Sequence, residues 1–222
     1  MLVIAIPKSA STSLLDTLNK VYKIKSEQVF YDWLKYPETY SLLYKYHKDI
    51  KEYQFDSIQK FSYNKCFYKQ HIPPTKNNLK LLKEEKKVIL LRNPNEIIEA
   101  YWRAEQKKIH NKRQEFSTSS TKDEWIREAN SNGLYDDLQD FYNGWSNVKD
   151  KYTLHISYNE LIDDPRDIIQ RIGEFFELPQ INKKVTLSKK RYSHHGIVLT
   201  YILKFLQFYK KVMRKFHKVF FG

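Results

Sequence analysis

Cysteine, glycine and long apolar runs are scarce in this sequence of 222 residues. The chain has one cysteine, Cys66, and five glycines. A single cysteine excludes an internal disulfide and a metal site built from several cysteines, and it is typical of a reducing compartment. No stretch has the pattern of a signal peptide or the length of a membrane span. We therefore expect a cytoplasmic protein.

Acidic residues are scarce relative to basic ones. The chain has 26 Asp and Glu against 39 Lys and Arg, which gives a formal net charge of +13. This surplus indicates an anionic partner, and charge alone leaves a nucleotide, an acidic glycan, a nucleic acid and a membrane surface open. The length fits one domain, or one domain with an appendage.

The N-terminal stretch predicts a strand, a tight loop and a helix. Apolar residues 2–6 suit a strand buried on both faces, and Pro7 should end it. A helix is expected over residues 13–22, and four hydroxyl residues are candidates for its N-cap: Ser9, Ser11, Thr12 and Ser13. The free N–H groups of such a helix, with Lys8 beside them, form an anion site for phosphate or sulfate.

This stretch has two alternative interpretations. An ordinary strand and helix joined by a polar turn fits the same residues. A Walker A nucleotide loop requires glycines, and this segment has none.

A second basic group lies within residues 66–72, which predict a short strand stopped by two prolines. Lys69 and His71 are two residues apart, so they should point to the same side. Ligands of open α/β sheets bind at the carboxyl edge of the strands. A solvated loop histidine is the alternative.

A third basic group follows residues 87–91, the clearest buried strand in the sequence. Arg92 ends this strand, and the helix after it has Asn95 as its expected cap. An arginine at this point suits a phosphate, and an ordinary salt bridge is the alternative.

The remaining pattern alternates helices with one more strand. We expect helices over 79–85, 123–130, 135–148, 159–162 and 166–176, a loop over 104–122, and a strand over 152–158. Strands that alternate with helices predict an α/β fold, with a central parallel β-sheet flanked by helices.

Four segments resemble the sulfotransferases that use 3′-phosphoadenosine 5′-phosphosulfate (PAPS). Residues 7–13 read PKSASTS against the family's PKSGTTW, and residues 69–74 read KQHIPP against KTHLPP. Residues 91–94, LRNP, are similar to the start of the family's 3′-phosphate motif. Residues 158–179 resemble its YEDL…P…FLGLP run. The resemblance implies a sulfotransferase-type, P-loop-like fold over residues 1–196.

The resemblance also implies a reaction and a site. A sulfuryl group would pass from PAPS to a hydroxyl or amine, leaving 3′-phosphoadenosine 5′-phosphate (PAP), without a metal. His71 would be the general base, Lys8 would lie against the bridging oxygen, and Lys69 would neutralise the sulfuryl oxygens. The resemblance assigns donor binding to Lys8, Ser9, Ala10, Ser11, Thr12 and Ser13 (phosphosulfate), Arg92 (3′-phosphate) and Tyr158 (adenine).

This sequence departs from the family pattern at several places. Ala10 replaces a glycine, and Ala100 replaces a serine that helps to hold the 3′-phosphate. The family's later RKG loop has a candidate substitute in residues 189–191, where Lys190 and Arg191 would contact the donor. If His71 is not the base, a carboxylate such as Glu27 or Asp32 is the alternative, as in some glycan-directed relatives.

The acceptor and two rival functions stay open. A glycan, a lipid-linked group or a small molecule could be the acceptor, bound by variable loops over 23–64 and 104–122. A P-loop-like nucleotide or nucleoside kinase is disfavoured by the missing glycines. A basic nucleic-acid-binding protein is disfavoured because the basic residues are spread along the chain.

Residues 197–222 predict a basic amphipathic helix that contains no acidic residue. It is either the last helix of the domain or a peripheral contact with an anionic membrane.

The membrane alternative predicts salt-sensitive sedimentation with anionic liposomes for the full chain, and none for a chain that ends at Gly196. Co-sedimentation at low and high salt measures this difference. If both proteins fold and sediment equally, we would assign the helix to the domain and not to a membrane contact.

Overall fold

The computed structural model describes residues 1–27, 29, 34–35, 39–40, 43–44, 50–53, 66–106, 121–181 and 184–188. The strands are β1 Leu2–Ala5, β2 Ser26–Glu27, β3 Leu34–Lys35, β4 Glu52–Tyr53, β5 Phe67–Gln70, β6 Lys87–Leu91 and β7 Thr153–Ser157. The helices are α1 Ser11–Tyr22, α2 Lys76–Leu81, α3 Pro94–Gln106, α4 Lys122–Ser131, α5 Leu134–Ser146, α6 Tyr158–Asp163 and α7 Pro165–Phe175.

Several predictions concern residues outside these ranges. They are Asp32, Lys190, Arg191, residues 107–120 of the expected loop, and the helix expected over residues 197–222.

The main sheet has five parallel strands in the order β2-β5-β1-β6-β7. The predicted α/β fold with a central parallel sheet is confirmed. In the centre, Val3 of β1 pairs with Lys69 on one side and Val88 on the other. A separate antiparallel pair joins β3 and β4.

The central strand β1 is buried on both faces, as its apolar sequence predicts. Leu2 and Ile4 pack in the cluster that contains buried residues of α3, α4 and α5. Val3 and Ala5 pack in the opposite cluster, with residues of α1 and α7. Because side chains alternate along a strand, the apolar residues of β1 contribute to the core on both faces of the sheet.

All the parallel strands run the same way, so their carboxyl ends lie at one edge. The chain leaves β1 toward β2, on one side of the sheet, and leaves β6 toward β7, on the other. The ends of these adjacent strands therefore form a topological switch point, where α/β proteins bind ligands.

The opposite, amino-terminal edge holds a buried lysine. The Lys87 side chain is 1% exposed, and its Nζ lies 3.9 Å from Asp150 Oδ2. Burial lowers the pKa of Lys87, because it disfavours the charged amine.

Some predicted helix boundaries were wrong. Helix α2 begins at Lys76, not residue 79, because the Thr75 hydroxyl accepts the Asn78 amide and caps it. Asn95 is not the cap of α3. The Asn93 Oδ1 accepts the Asn95 amide at 2.9 Å, directly before Pro94.

Helix α3 also continues to Gln106, past the start expected for the loop at residue 104. No helix in the described ranges is long and apolar enough to cross a membrane.

Candidate functional site

The loop between β1 and α1 is shaped by its backbone. Lys8 and Ala10 adopt the left-handed conformation, with φ of 60° and 63°. The fully buried Ser9 donates its hydroxyl to the Ile6 carbonyl at 2.6 Å. These contacts curl the chain so that α1 begins at Ser11, immediately after the loop.

The expected hydroxyl cap of α1 is absent, and that prediction was wrong. The N-cap residue is Ala10, which has no side chain to accept an amide. Ser9 is turned toward Ile6 instead. The amides of the first turn, Ser11 to Ser13, have no acceptor within the helix. This end of α1 can therefore offer its N–H groups and its positive dipole to an anion.

Arg92 connects this loop to the neighbouring strand end. Its Nη1 donates to the Lys8 carbonyl at 2.8 Å, and its Nε donates to Glu96 Oε2 at 2.9 Å. The side chain is 11% exposed. The salt bridge expected as an alternative exists with Glu96, and it uses one of the five N–H groups of the guanidinium.

Tyr158 lies on the guanidinium of Arg92. The guanidinium carbon is 3.8 Å from the centroid of the tyrosine ring. Leu91 pairs with Ser157, so the residues that follow them are neighbours. A cation held against a ring face gains about 0.5–2 kcal/mol.

Helix α6, which begins at Tyr158, has a capping box. Ser157 accepts the amide of Glu160, and the Glu160 carboxylate accepts the amide of Ser157. This backbone hydrogen bond is the main reason that the pKa of Glu160 is lowered.

Lys69 and His71 lie on one side of the chain, as predicted, and they contact each other. Lys69 Nζ is 2.8 Å from His71 Nε2, and His71 Nδ1 is 2.6 Å from the Ala5 carbonyl oxygen. A carbonyl can only accept, so Nδ1 carries the proton and donates it. Nε2 then accepts from the Lys69 ammonium. His71 is therefore a neutral imidazole, buried to 3% exposure.

Helix α5 supports the segment after His71. Trp145 is fully buried and donates its indole N–H to the Ile72 carbonyl at 2.7 Å. A Cβ on Gly144 would overlap Cγ of Pro74, so the glycine is needed for this close approach. The histidine is thus held through both Ala5 and Ile72.

The structure brings together the predicted Lys8 loop, Arg92 and Tyr158, and it joins His71 and Lys69 to the end of the same central strand. Glu27 lies on the exposed edge strand β2. Glu96 was not predicted as a site residue, although its spacing of four residues from Arg92 is a recognisable ion-pair signal. Trp145 was not predicted either, because no local pattern distinguishes it from core residues.

No cluster of three or more His, Cys, Asp or Glu residues that could hold a metal ion occurs in the described ranges. The charges that converge at this edge come from Lys8, Lys69, Arg92 and Glu96.

Comparison with known proteins identifies the family. The family model of the sulfotransferase domain matches residues 1–215, so the chain belongs to this family. No curated protein sequence matches the chain.

Two solved structures are similar to this chain, and the first of them supports the same fold. The mouse sulfotransferase SULT7A1, solved in complex with PAP, aligns with a TM-score of 0.54 at 14% identity. The alignment covers 82% of this chain and 59% of the mouse chain. A sulfotransferase from Alicyclobacillus acidocaldarius aligns with a TM-score of 0.44 at 14% identity, over 90% of this chain and 89% of that one. This chain thus spans about three fifths of the mouse protein.

The left-handed conformation of Ala10 predicts that a glycine at this position stabilises the fold. This conformation costs a residue with a Cβ about 1–2 kcal/mol, and a glycine loses about 0.4–1 kcal/mol of stability through its freer unfolded state. Ala10→Gly should therefore raise the free energy of unfolding by up to about 1 kcal/mol, measured by urea denaturation.

Ala129→Gly is the matched control, because Ala129 is buried within helix α4. It should lower the free energy of unfolding by about 1 kcal/mol. A loss of the same size in Ala10→Gly would contradict the assigned conformation.

Proposed function

We propose that this protein transfers a sulfuryl group from PAPS to a hydroxyl or amine acceptor. The observation that carries the proposal is the N-terminus of α1, which has no side-chain cap and whose Lys8 loop is held by Arg92. A neutral histidine, bonded to the end of the same strand, supplies a base. Membership of the sulfotransferase family supports the same reaction.

The donor would bind along the carboxyl edge of β1 and β6. The amides of residues 9–13 would hold the 5′-phosphosulfate, with the Lys8 ammonium at its bridging oxygen. Arg92 has five N–H groups, of which its contacts to Glu96 and Lys8 use two. The remaining N–H groups suit the 3′-phosphate. Tyr158, stacked on Arg92, would border the adenine.

The chemistry would use the residues as follows. The bond between sulfur and the bridging oxygen breaks, and Lys8 stabilises the negative charge that develops on PAP. A new bond forms between sulfur and the acceptor oxygen or nitrogen. The acceptor proton passes to Nε2 of His71, whose Nδ1 stays bonded to the Ala5 carbonyl.

Lys69 occupies the nitrogen of His71 that would receive the acceptor proton. The lone pair of Nε2 accepts from the Lys69 ammonium, at 2.8 Å. For His71 to receive the acceptor proton, Lys69 must turn away, and the sulfuryl oxygens would be its new anionic partner.

The proposed acceptor is a glycan, a lipid-linked group or a small molecule. The amide of Lys51 donates to the His71 carbonyl at 3.1 Å, so residues 50–53 run beside the base. This segment would border the acceptor. A cytoplasmic location and a peripheral membrane contact through residues 197–222 are also proposed, and both rest on the sequence alone.

Nucleotide binding tests the donor assignment. PAP should raise the melting temperature of the protein more than ATP or AMP, because AMP differs from PAP only by the 3′-phosphate. Arg92→Ala should weaken PAP binding by about 1.5–3 kcal/mol, the scale of a charge-assisted hydrogen bond, and should weaken AMP binding less, because AMP has no 3′-phosphate to lose contact with the arginine. Thermal shift and calorimetry measure both effects.

The matched control is Arg103→Ala, which removes an exposed arginine that pairs with Glu99 on the same helix as Glu96. It should leave PAP affinity unchanged. Equal stabilisation by PAP and ATP would refute the donor assignment.

Two variants test the role of His71 as base and the role of Lys8 in donor binding independently. His71→Asn keeps a donor near Nδ1 for the Ala5 carbonyl but lacks a base, so turnover should fall by about 10²–10⁴ with PAP affinity retained. Lys8→Met should lower PAP affinity and turnover together, because the lysine contacts the donor before and during transfer. Labelled PAPS with a panel of glycans, phenols and lipids measures turnover.

Near wild-type turnover in a folded His71→Asn protein would exclude the histidine as base. A carboxylate from residues 23–64 would then be the base, which favours a sugar acceptor.

A further inference from the structure

Side chains from other elements contact both the backbone carbonyl and the side-chain ammonium of Lys8. Its carbonyl accepts from Arg92 at 2.8 Å, and its Nζ lies 5.3 Å from the centroid of the Tyr101 ring. Tyr101 belongs to α3, is 3% exposed, and packs in the cluster on that face of the sheet. The ring is therefore a fixed surface beneath a flexible side chain.

We propose that Tyr101 is a positioning residue that holds the Lys8 ammonium toward the donor phosphosulfate. The inference rests on the proposed function, because it gives Lys8 its role there. A lysine side chain has many accessible rotamers, and a ring that restricts them before binding lowers the entropy cost of ordering the side chain around the ligand. A ring face also attracts the ammonium without neutralising its charge.

The second cation of the site has the same kind of support. Arg92 lies on the ring of Tyr158, at 3.8 Å. The two tyrosines come from different elements, α3 and α6, and each faces one cation at the edge where β1 and β6 end. A carboxylate in the place of the Tyr101 ring would compete with an anionic donor for Lys8, whereas a neutral ring does not.

The first test measures PAP affinity by calorimetry. Tyr101→Leu should weaken PAP binding by about 3- to 30-fold, which corresponds to the range for a cation on a ring face. Tyr101→Phe keeps the ring and should stay within about twofold of wild type. In a Lys8→Met background, Tyr101→Leu should add less than about twofold, because a positioning residue acts through its partner.

Tyr152→Leu is the matched control. Lys151 Nζ lies 5.1 Å from the Tyr152 ring, a contact of the same kind, and Tyr152 directly precedes β7 at the amino-terminal edge of the sheet. This variant should bind PAP like wild type.

The second test needs no nucleotide. Lysines of the full chain are reductively methylated with ¹³C, and the Lys8 signal is assigned by its loss in Lys8→Met. The ring current of Tyr101 should shift this signal upfield in wild type and in Tyr101→Phe. The shift should disappear in Tyr101→Leu.

The outcomes separate the inference from the proposed function. An unshifted Lys8 signal, or unchanged PAP affinity in folded Tyr101→Leu, would overturn the inference and leave the function standing. An equal loss of affinity with and without Lys8 would also overturn it. A wild-type protein that does not bind PAP would refute the proposed function, and with it the donor role of this contact.

Discussion

The hydrogen bond from the Arg92 guanidinium to the Lys8 carbonyl is the contact on which the site depends. It joins the ends of β1 and β6, and the same guanidinium pairs with Glu96 on α3 and stacks on Tyr158 of α6. A planar group with five donors can satisfy these neighbours together, which a lysine ammonium could not. The loop therefore keeps its left-handed residues because an arginine from the next strand holds it.

The site combines cations with a neutral histidine. Two of the cations lie on aromatic rings, where Lys8 faces Tyr101 and Arg92 faces Tyr158. The histidine is neutral, because its Nε2 accepts from the Lys69 ammonium while its Nδ1 donates to the Ala5 carbonyl. In the proposed function this edge would attract an anionic donor, and the lone pair of Nε2 would receive a proton once Lys69 turns away. The net charge of +13 favours the same class of ligand.

Local pattern predicted the four longer strands, β1, β5, β6 and β7, but not the two-residue strands β2, β3 and β4 or several of the helix starts. The apolar runs of β1 and β6 identify their strands because both faces of a central parallel strand are buried. The hydroxyl cap predicted for α1 was wrong, because Ser9 is turned into the core and Ala10 takes the cap position. Capping depends on the path of the preceding loop, and a contact with Arg92, 84 residues away, helps to set that path.

The sequence by itself determined the fold class, the family motifs and the placement of Lys69 and His71 on one side of a strand end. The alternation of strands and helices indicates the fold class, the resemblance of four motifs indicates the family, and a spacing of two residues places Lys69 and His71 on one side. Only the tertiary structure decided that Lys69 donates to the histidine and that two tyrosines support the site cations. Those relations join residues from separate strands and helices, so they arise only when the sheet brings its carboxyl ends to one edge.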